Sequence, residues 1–361
     1  MKAFVTGGTG FIGRQVVKKL VARGYEVVAL GRSDAAAITL STLGATPING
    51  DITNKASMRA AMTGCDVVFH IAGWYKIGSR DWMDAETVNV SGTRNVLSLA
   101  YELGIPKIIY TSSVAVFGDT GGELVDESYE SSGPFLSEYN RTKWLAHYKV
   151  AVPLQQRGAP IIIVLPGGVY GPGDTSIIAE TMRRFCRGQL PVVPGADTMF
   201  TYAHVDDIAE GHILAAEKGK IGESYVLAGP ALPLGEMVHY WADLLGRRRP
   251  ALVDSTYLKP FAPVVGSLNH ALKLSEFYSE ETMRNLGSSQ LGRADKARAQ
   301  LGWQTRPLAD GMQETLDWVL ATTEADPPVL SEQQKQVAKV ALVAAAILFL
   351  LWFFGRGRRD E

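Results

Sequence analysis

The sequence predicts an α/β protein: a doubly wound parallel sheet, a smaller C-terminal α/β lobe and a C-terminal hydrophobic helix. Through the first half of the chain, short β-rich runs alternate with helical patterns, as is typical of parallel βαβ units. The second half is more mixed, and an uncharged apolar run lies near the C-terminus. With 361 residues, 46% of them hydrophobic, the chain has material for one large domain or two closely joined ones.

The elements of the first half follow in a regular order. The pattern predicts strands at 2–6, 26–30, 66–71, 107–110 and 160–165, with helices at 11–23 and 90–103. We therefore assign residues 1–165 to a nucleotide-binding domain and residues 166–322 to a substrate lobe that returns elements to the first sheet.

The composition changes after Ala325, where residues 323–336 are predicted to form a linker. Residues 340–354 carry no charge, and residues 355–361 form a basic tail. A helix over 337–354 would be about 27 Å long at ~1.5 Å per residue, close to the ~30 Å of a bilayer core. The pattern predicts a transmembrane or membrane-anchoring helix. A helix buried in an oligomer interface and one lying in the membrane interface are the alternatives.

Two patterns bear on the sidedness of this anchor: the Arg-rich tail favours a cytoplasmic C-terminus, whereas the other end of the chain favours a cytoplasmic catalytic domain. No signal peptide pattern precedes the first predicted strand, because a glycine motif already begins at Gly7. We therefore expect a membrane-anchored protein whose catalytic domain stays on the cytoplasmic side.

Charge and cysteine content exclude several function classes. Lysine and arginine total 36 against 37 aspartate and glutamate residues, so no net charge favours nucleic acid as a partner. The two cysteines, Cys65 and Cys186, are far apart and lack metal-ligand spacing. They indicate reduced side chains, and no metal site is predicted.

A glycine-rich loop joins the first predicted strand to the first predicted helix. In residues 6–13, Gly7 permits a tight turn, Gly10 lets the backbone approach a pyrophosphate, and Gly13 allows the helix to pack closely on the strand. Anionic phosphates are favoured at a helix N-terminus. Because a strand, a helix and a second strand surround the loop, it predicts a Rossmann dinucleotide site.

The end of the second strand bears on the choice of cofactor. An acid there would bind the ribose hydroxyls of NAD, whereas a basic residue would pair with the 2′-phosphate of NADP. The chain has Arg32 and Ser33 at this point and no acid before Asp34. The pattern favours NADP, with NAD as the alternative.

Tyr139 and Lys143 lie four residues apart, which places a phenol and an ammonium on one face of a helix. A nearby cation favours the phenolate and so eases proton transfer to or from a carbonyl oxygen. The strand at 107–110 runs into hydroxyls that include Ser113, at the strand end where ligands bind in such sheets. These residues predict hydride-transfer chemistry on a carbonyl.

The order of several motifs resembles that of extended short-chain dehydrogenases/reductases. The motifs are the glycine loop 6–13 and the segments 69–73, 89–95, 110–118, 139–143, 168–173 and 204–207. The resemblance covers roughly residues 1 to 320. Residues 211–219 and the region after His70 are most similar to the dihydroflavonol-reductase-like branch, which neighbours 3β-hydroxysteroid dehydrogenases.

The resemblance implies roles for particular residues. Ser113 would hydrogen-bond the substrate oxygen, Tyr139 would act as acid and base, and Lys143 would bind the nicotinamide ribose. It also implies homodimers through helices such as 90–103 and 139–150, and a supporting role for Asn89 on the cofactor side of the site. His70 and His204 lack metal-ligand neighbours in the sequence, which predicts structural roles for both, and Asp206 or Asp207 is predicted to cap a helix. The predicted cofactor-binding residues are Gly7, Gly10, Phe11, Ile12, Gly13, Arg32, Asp51, Ile52, Ala72, Gly73, Tyr139 and Lys143.

One departure from the family pattern concerns the substrate. The loop 165–172 lacks the Arg and Asn common in nucleotide-sugar epimerases and dehydratases, which weakens that interpretation. Trp74, Tyr75, Trp82 and the loop 260–263 suit an apolar or ring-shaped substrate, although core packing explains each one equally well. A lipophilic ketone or alcohol is the favoured substrate. The alternatives are a sugar epimerase or dehydratase that uses the cofactor transiently, and a non-catalytic NADP-binding sensor.

Overall fold

The computed structural model describes residues 1–75, 82–131, 133–262 and 280–323. Its centre is a seven-stranded sheet in which each pair of neighbouring strands is parallel. From one edge to the other the strands are Ser224–Leu227, Ile161–Pro166, Ile108–Thr111, Val67–His70, Lys2–Thr6, Glu26–Gly31 and Thr46–Asn49.

The central strands are buried on both faces, which is why they are short continuous apolar runs without alternation. Ile161–Pro166, for example, is buried at every position. Two hydrophobic clusters cover the two faces, one with Phe4 and Tyr110, the other with Leu20 and Trp303. The helices that cover both faces leave the carboxyl edge of the sheet open.

The described helices vary in length, and some α-helices continue directly into π-helical or 3₁₀ turns. Thr87–Gly92 and His147–Ala151 are π-helical, and Val114–Phe117 and Lys259–Phe261 are 3₁₀ turns. The α-helices are Phe11–Ala22, Asp34–Thr42, Lys55–Met62, Trp82–Glu86, Thr93–Glu102, Glu138–Ala146, Val152–Gln156, Ile177–Cys186, Val205–Lys218, Leu234–Leu244, Ser255–Leu258, Glu280–Asn285, Asp295–Leu301 and Leu308–Thr323.

The second half of the chain adds two small sheets beside the large one. A four-stranded sheet has Met199–His204 at its centre, and a two-stranded parallel ribbon lies next to it. The other strands of the four-stranded sheet are Gly168–Tyr170, Ala231–Pro233 and Ser289–Gln290; the ribbon pairs Val192–Pro194 with Ala251–Val253.

The predicted α/β fold with a parallel sheet is confirmed. The seven elements predicted in the first half are present; the first strand has the predicted bounds, and the other six are shifted at one or both ends. The helix predicted at 90–103 begins earlier, because the π-helical turn from Thr87 continues into it. The strand Thr46–Asn49 was not predicted, since Pro47 and two exposed positions give it the pattern of an edge strand.

None of the helices in the described ranges is long and apolar enough to cross a membrane. The predicted anchor at 337–354, the basic tail at 355–361 and the linker from residue 324 lie outside the described residues.

Candidate active site

A cleft of about 1430 Å³ opens at the carboxyl edge of the large sheet. Each residue predicted to bind the cofactor or to take part in catalysis lines it. These residues are Gly7, Gly10, Phe11, Ile12, Gly13, Arg32, Asp51, Ile52, Ala72, Gly73, Ser113, Tyr139 and Lys143. Their individual roles stay predictions, but the fold brings them all to one surface.

The glycine loop forms a cradle that larger residues would fill. Gly7 has a φ of +76°, and a Cβ atom there would lie 2.5 Å from the backbone nitrogen of Ala72. A Cβ atom at Gly13 would lie 2.0 Å from the carbonyl oxygen of Gly7. Helix Phe11–Ala22 starts at this loop and has no acidic residue in its first turn. The loop therefore fits a pyrophosphate group at the helix N-terminus.

Arg32 lies beside the cleft at the end of strand Glu26–Gly31. Its side chain is 75% exposed, and its Nη1 lies 3.8 Å from Oδ2 of Asp51. The other oxygen of Asp51 accepts hydrogen bonds from the backbone and hydroxyl of Thr53, both at 2.8 Å. Ser33 caps helix Asp34–Thr42 by accepting from the Ala36 backbone at 3.2 Å. An exposed guanidinium next to a helix N-terminus suits a phosphate group.

Tyr139 and Lys143 belong to helix Glu138–Ala146, which we call the catalytic helix. Ser137 caps it by accepting from the Asn140 backbone at 3.0 Å. Nζ of Lys143 donates to the carbonyl oxygen of Thr111 at 2.8 Å, so the helix is tied to the end of a central strand. Burial lowers the pKa of Lys143 to about 7. The lysine can therefore change its charge near neutral pH.

Ser113 faces the catalytic helix from the strand side. It occupies the cap position of the turn Val114–Phe117, where its Oγ accepts from the Ala115 backbone at 3.1 Å. Burial raises the pKa of Tyr139, and a hydrogen bond with Ser113 opposes that shift. Both side chains line the cleft, where a substrate oxygen could accept a hydrogen bond from each hydroxyl.

Asn89 connects the catalytic helix to the loop that follows strand Val67–His70. Its Oδ1 accepts from the backbone nitrogen of Trp74 at 2.7 Å, and its Nδ2 donates to the Trp74 carbonyl at 3.1 Å and to Oγ1 of Thr142 at 3.0 Å. The family resemblance implies that Asn89 supports the cofactor side of the site. The structure shows the contacts: Asn89 holds a cleft-lining loop against the helix of Tyr139.

Buried histidines lie behind the cleft. His70 is hydrogen-bonded to Thr6 and Thr93, at 2.8 and 3.0 Å, so its predicted structural role is confirmed. Burial lowers the pKa of His70 and His147 to about 3. These neutral rings hold the strand ends that carry the site. His147 does so through a hydrogen bond of 2.8 Å between its Nδ1 and Oγ of Ser112.

His204 also has a structural role, although a related prediction was wrong. Asp206 or Asp207 was expected to cap helix Val205–Lys218. The cap is His204 itself, whose Nδ1 accepts from the Asp206 backbone at 3.3 Å. Asp207 instead accepts from the backbone and side chain of Arg306, at 2.9 and 3.1 Å.

The far half of the cleft is lined by the loop after strand Val67–His70 and by residues from the second half of the chain. Tyr75 lies edge-on to Tyr139, with ring centroids 4.9 Å apart. Trp74 and Phe261 also line the cleft, as the sequence suggested, while the Trp82 side chain and Pro263 lie outside the described residues. Further apolar lining residues are Val169, Ile177, Ile178, Leu190, Val193, Phe200, Leu234, Met283 and Leu286.

Sequence reasoning missed Asp174, a carboxylate in this apolar surrounding. It is buried, it lines the cleft, and its oxygens accept from the backbone and hydroxyl of Ser176 at 2.7 and 2.8 Å. Burial raises its pKa to about 6. Its position directly after Gly171–Gly173 was the available signal, since a loop between two lobes often lines a ligand site.

Comparison with protein families gives one match over most of this region. The family model described as "NAD dependent epimerase/dehydratase family" matches residues 3–228. The match includes the glycine loop, Ser113, Tyr139 and Lys143, and it extends to the last strand of the large sheet.

Individual proteins are similar over most of the chain. A putative dihydroflavonol 4-reductase of Synechocystis sp. is 31% identical over 324 residues, 87% of this chain and 93% of that protein. A second relative, from Stigmatella aurantiaca, is the 4-hydroxy-2-methyl-3-oxo-4-farnesyl-3,4-dihydroquinoline-1-oxide ketoreductase. It is 34% identical over 232 residues, which are 64% of this chain and 69% of that protein. The crystal structure of gox2253 is 31% identical with a TM-score of 0.78, covering 89% and 98% of the two chains.

Proposed function

The chain belongs to the NAD-dependent epimerase/dehydratase family and is an NAD(P)-dependent oxidoreductase; we propose that it transfers hydride between NADP(H) and a carbonyl or secondary alcohol of a lipophilic substrate. One observation carries the proposal: Ser113, Tyr139 and Lys143 line a cleft whose far half has a mainly apolar wall. The polar half can activate an oxygen, and the apolar half can hold a hydrocarbon body.

The side chains divide the chemistry between them. A bound nicotinamide cofactor supplies or accepts the hydride. In reduction, Tyr139 donates its phenolic proton to the substrate oxygen while Ser113 hydrogen-bonds the same atom. Lys143, one helical turn away, favours the phenolate when it is charged and so lowers the barrier to that proton transfer. The glycine loop, Arg32 and Asp51 would hold the cofactor.

The preference for NADP is supported by Arg32. Its guanidinium is exposed at the end of the second strand, and no acid replaces it there. A guanidinium can bind a 2′-phosphate through two parallel hydrogen bonds. Asp51, 3.8 Å away, can orient the guanidinium.

The lipophilic substrate is supported by the cleft wall and by one relative. The aromatic side chains of Trp74, Tyr75 and Phe261 form part of the cleft wall. The relative from Stigmatella aurantiaca carries a farnesyl ketone substrate in its name. Burying apolar area contributes roughly 25 cal/mol per Å², so such a wall favours hydrocarbon over sugar.

The direct test is NADPH consumption by the purified protein with a panel of lipophilic ketones. We expect turnover with at least one member, and the Tyr139→Phe variant should lower kcat by about 10²–10⁴-fold while it still binds NADPH. Tyr75→Phe is the matched control, since it removes a hydroxyl from the neighbouring ring. Equal losses in both variants would contradict the role of Tyr139.

An epimerase or dehydratase is the second candidate, because the family description includes both and the same hydroxyls serve those reactions. It would produce no net loss of NADPH. A non-catalytic sensor would bind NADPH tightly with no turnover on any substrate, and it would have no need of Tyr139.

Membrane attachment through 337–354, with the catalytic domain on the cytoplasmic side, is part of the proposal. Its support is the uncharged run 340–354. The double variant Leu348→Asp, Leu351→Asp should move the protein from the membrane fraction to the supernatant after cell lysis. Wild-type protein in the supernatant would contradict the anchor.

The homodimer stays a prediction, which analytical ultracentrifugation can test.

A further inference from the structure

The mouth of the cleft is framed by a short two-stranded ribbon. We define the rim ribbon as strands Val192–Pro194 and Ala251–Val253 with the following helix Ser255–Leu258. Asp197 holds the start of that helix by accepting from the backbone and hydroxyl of Ser255, both at 2.6 Å. The rim ribbon is thus an ordered part of the lobe that lines the substrate half.

Large apolar side chains of the rim ribbon are left in solvent. Val192 is 41% exposed, Leu252 is 42% exposed and Tyr257 is 72% exposed, and all three also line the cleft. Val193, between them, is fully buried. The apolar surface is therefore continuous from the outside of the molecule into the substrate half. A continuous exposed apolar patch indicates an interaction site, whereas single exposed apolar residues are common on any protein surface.

The charge around this surface is positive. Segments 187–197 and 243–262 contain five basic residues and three acids, Asp197, Asp243 and Asp254, which gives a net charge of +2. Arg249 is paired with Asp243 at 2.7 Å, whereas Arg248 and Lys259 are exposed and have no ion-pair partner among the described residues. An apolar patch bordered by cations complements a bilayer that carries anionic headgroups.

The linker to the predicted anchor is short enough to keep the catalytic domain near a bilayer. Thirteen residues, 324–336, separate the last described helix from the predicted anchor, so they can span at most about 45 Å. If the anchor lies in a membrane, the catalytic domain is held close to the surface of that membrane.

We propose that the rim ribbon docks on an anionic lipid bilayer, so that a lipophilic substrate passes from the bilayer into the cleft without crossing water. Tyr257, Leu252 and Val192 contact the acyl region, and Arg248 and Lys259 contact the lipid phosphates. The route of the substrate rests on the proposed function, and the nearness of a bilayer rests on the membrane anchor proposed with it.

Docking can be measured without any catalysis. Full-length Tyr257→Cys and Ile221→Cys variants are labelled with an environment-sensitive fluorophore; the native Cys65 and Cys186 are buried. Ile221 is the matched control, because it is exposed but precedes strand Ser224–Leu227 and so lies at the edge opposite the cleft. The proteins are reconstituted in phosphatidylcholine vesicles with or without phosphatidylglycerol, and quenching by iodide is compared.

We expect phosphatidylglycerol to protect the label at 257 severalfold from iodide and to leave the label at 221 accessible. The double variant Arg248→Glu, Lys259→Glu should remove that protection. Equal accessibility at 257 and 221 in both vesicle types would overturn the proposal. So would a label at 257 that is protected before any vesicle is added, since another part of the chain or a second copy would then cover the rim ribbon.

The substrate route has its own test. In phosphatidylglycerol vesicles the Arg248→Glu, Lys259→Glu variant should raise KM severalfold for a ketone that partitions into the bilayer, and leave kcat and KM for a short water-soluble ketone unchanged. The charge-matched control is Arg157→Glu, Lys220→Glu, at two exposed positions just before strands Ile161–Pro166 and Ser224–Leu227 at the opposite edge. An unchanged KM would overturn the route. Absence of turnover with every ketone would contradict the proposed function and leave the labelling result standing.

Discussion

The cofactor half of the cleft is formed by the strand ends of one continuous parallel sheet, whereas the substrate half is formed by pieces of two small sheets. In the first, backbone atoms and polar side chains such as Arg32, Asp51 and Lys143 line the wall. In the second, the walls come from strands of two to six residues and the loops between them, with mostly apolar side chains.

This difference separates chemistry from selectivity. The cofactor half is anchored on both sides: Lys143 bonds to the end of one strand, and Asn89 ties the loop after another strand to the catalytic helix. The substrate half has polar ties of its own, such as those of Asp197 to Ser255, but its apolar lining residues can change size and shape without moving Ser113 or Tyr139. One catalytic arrangement can therefore serve many carbonyl substrates.

Gly13→Ala should have the largest effect and should be confined to the cofactor half. Replacing glycine by alanine inside a helix is normally stabilising by roughly 1 kcal/mol. Here the new Cβ would meet the Gly7 carbonyl oxygen at 2.0 Å, so the loop must move. We expect the Kd for NADPH, measured by calorimetry, to rise about a hundredfold. An unchanged Kd would show that the cradle does not hold the pyrophosphate.

A second difference between the halves is the buried lysine of the cofactor half, Lys143. The folded-state pKa of Lys143 is about 7, below its ordinary value, so between about pH 7 and 9 the unfolded chain binds more protons than the folded one. Stability of the cofactor-free protein should therefore rise with pH in this window, by up to about 1.4 kcal/mol per pH unit. In the Lys143→Met variant, the free energy of unfolding measured with denaturant should not show this rise with pH. The same slope in both proteins would contradict a lysine that loses its charge on folding.

Arg32→Ala should weaken NADPH binding by about ten- to hundredfold and leave NADH binding unchanged, since only NADPH carries the 2′-phosphate. Binding titrations with both cofactors check this. Arg59→Ala, whose guanidinium pairs with Glu102 away from the cleft, is the control. Equal losses for the two cofactors would mean that Arg32 does not recognise the phosphate.

Phe261→Ala should have the smallest effect and should be confined to the substrate half. Loss of an aromatic wall should raise KM for a lipophilic ketone by about tenfold and leave the Kd for NADPH unchanged. Phe135→Ala, at a half-exposed phenylalanine that packs on Trp144 outside the cleft, is the matched control. A change in the cofactor Kd would show that the two halves are not independent.

The cofactor half could be predicted because its signals are local. Residues 6–13 carry their geometry in consecutive glycines, and Tyr139 and Lys143 are one helical turn apart. The contacts that support them join distant parts of the chain: Ser112 meets His147, and Asn89 meets Thr142, with no spacing rule to reveal either pair.

The substrate half could not be predicted for a related reason. Strands such as Gly168–Tyr170 and Ser289–Gln290 are too short to show a period of two, and they pair with Met199–His204, which is distant in sequence from both. Asp174 lies in a Gly/Pro loop where a lone acid has the pattern of a turn residue. Only the fold reveals that it is buried in the cleft.

The measurement that tests the central claim most directly counts NADPH consumed against alcohol formed in the same reaction, with a lipophilic ketone as substrate. The account predicts one NADPH oxidised for each alcohol produced, with both lost together in Tyr139→Phe. Conversion of a substrate with no net consumption of NADPH would contradict a reductase and establish a transient use of the cofactor.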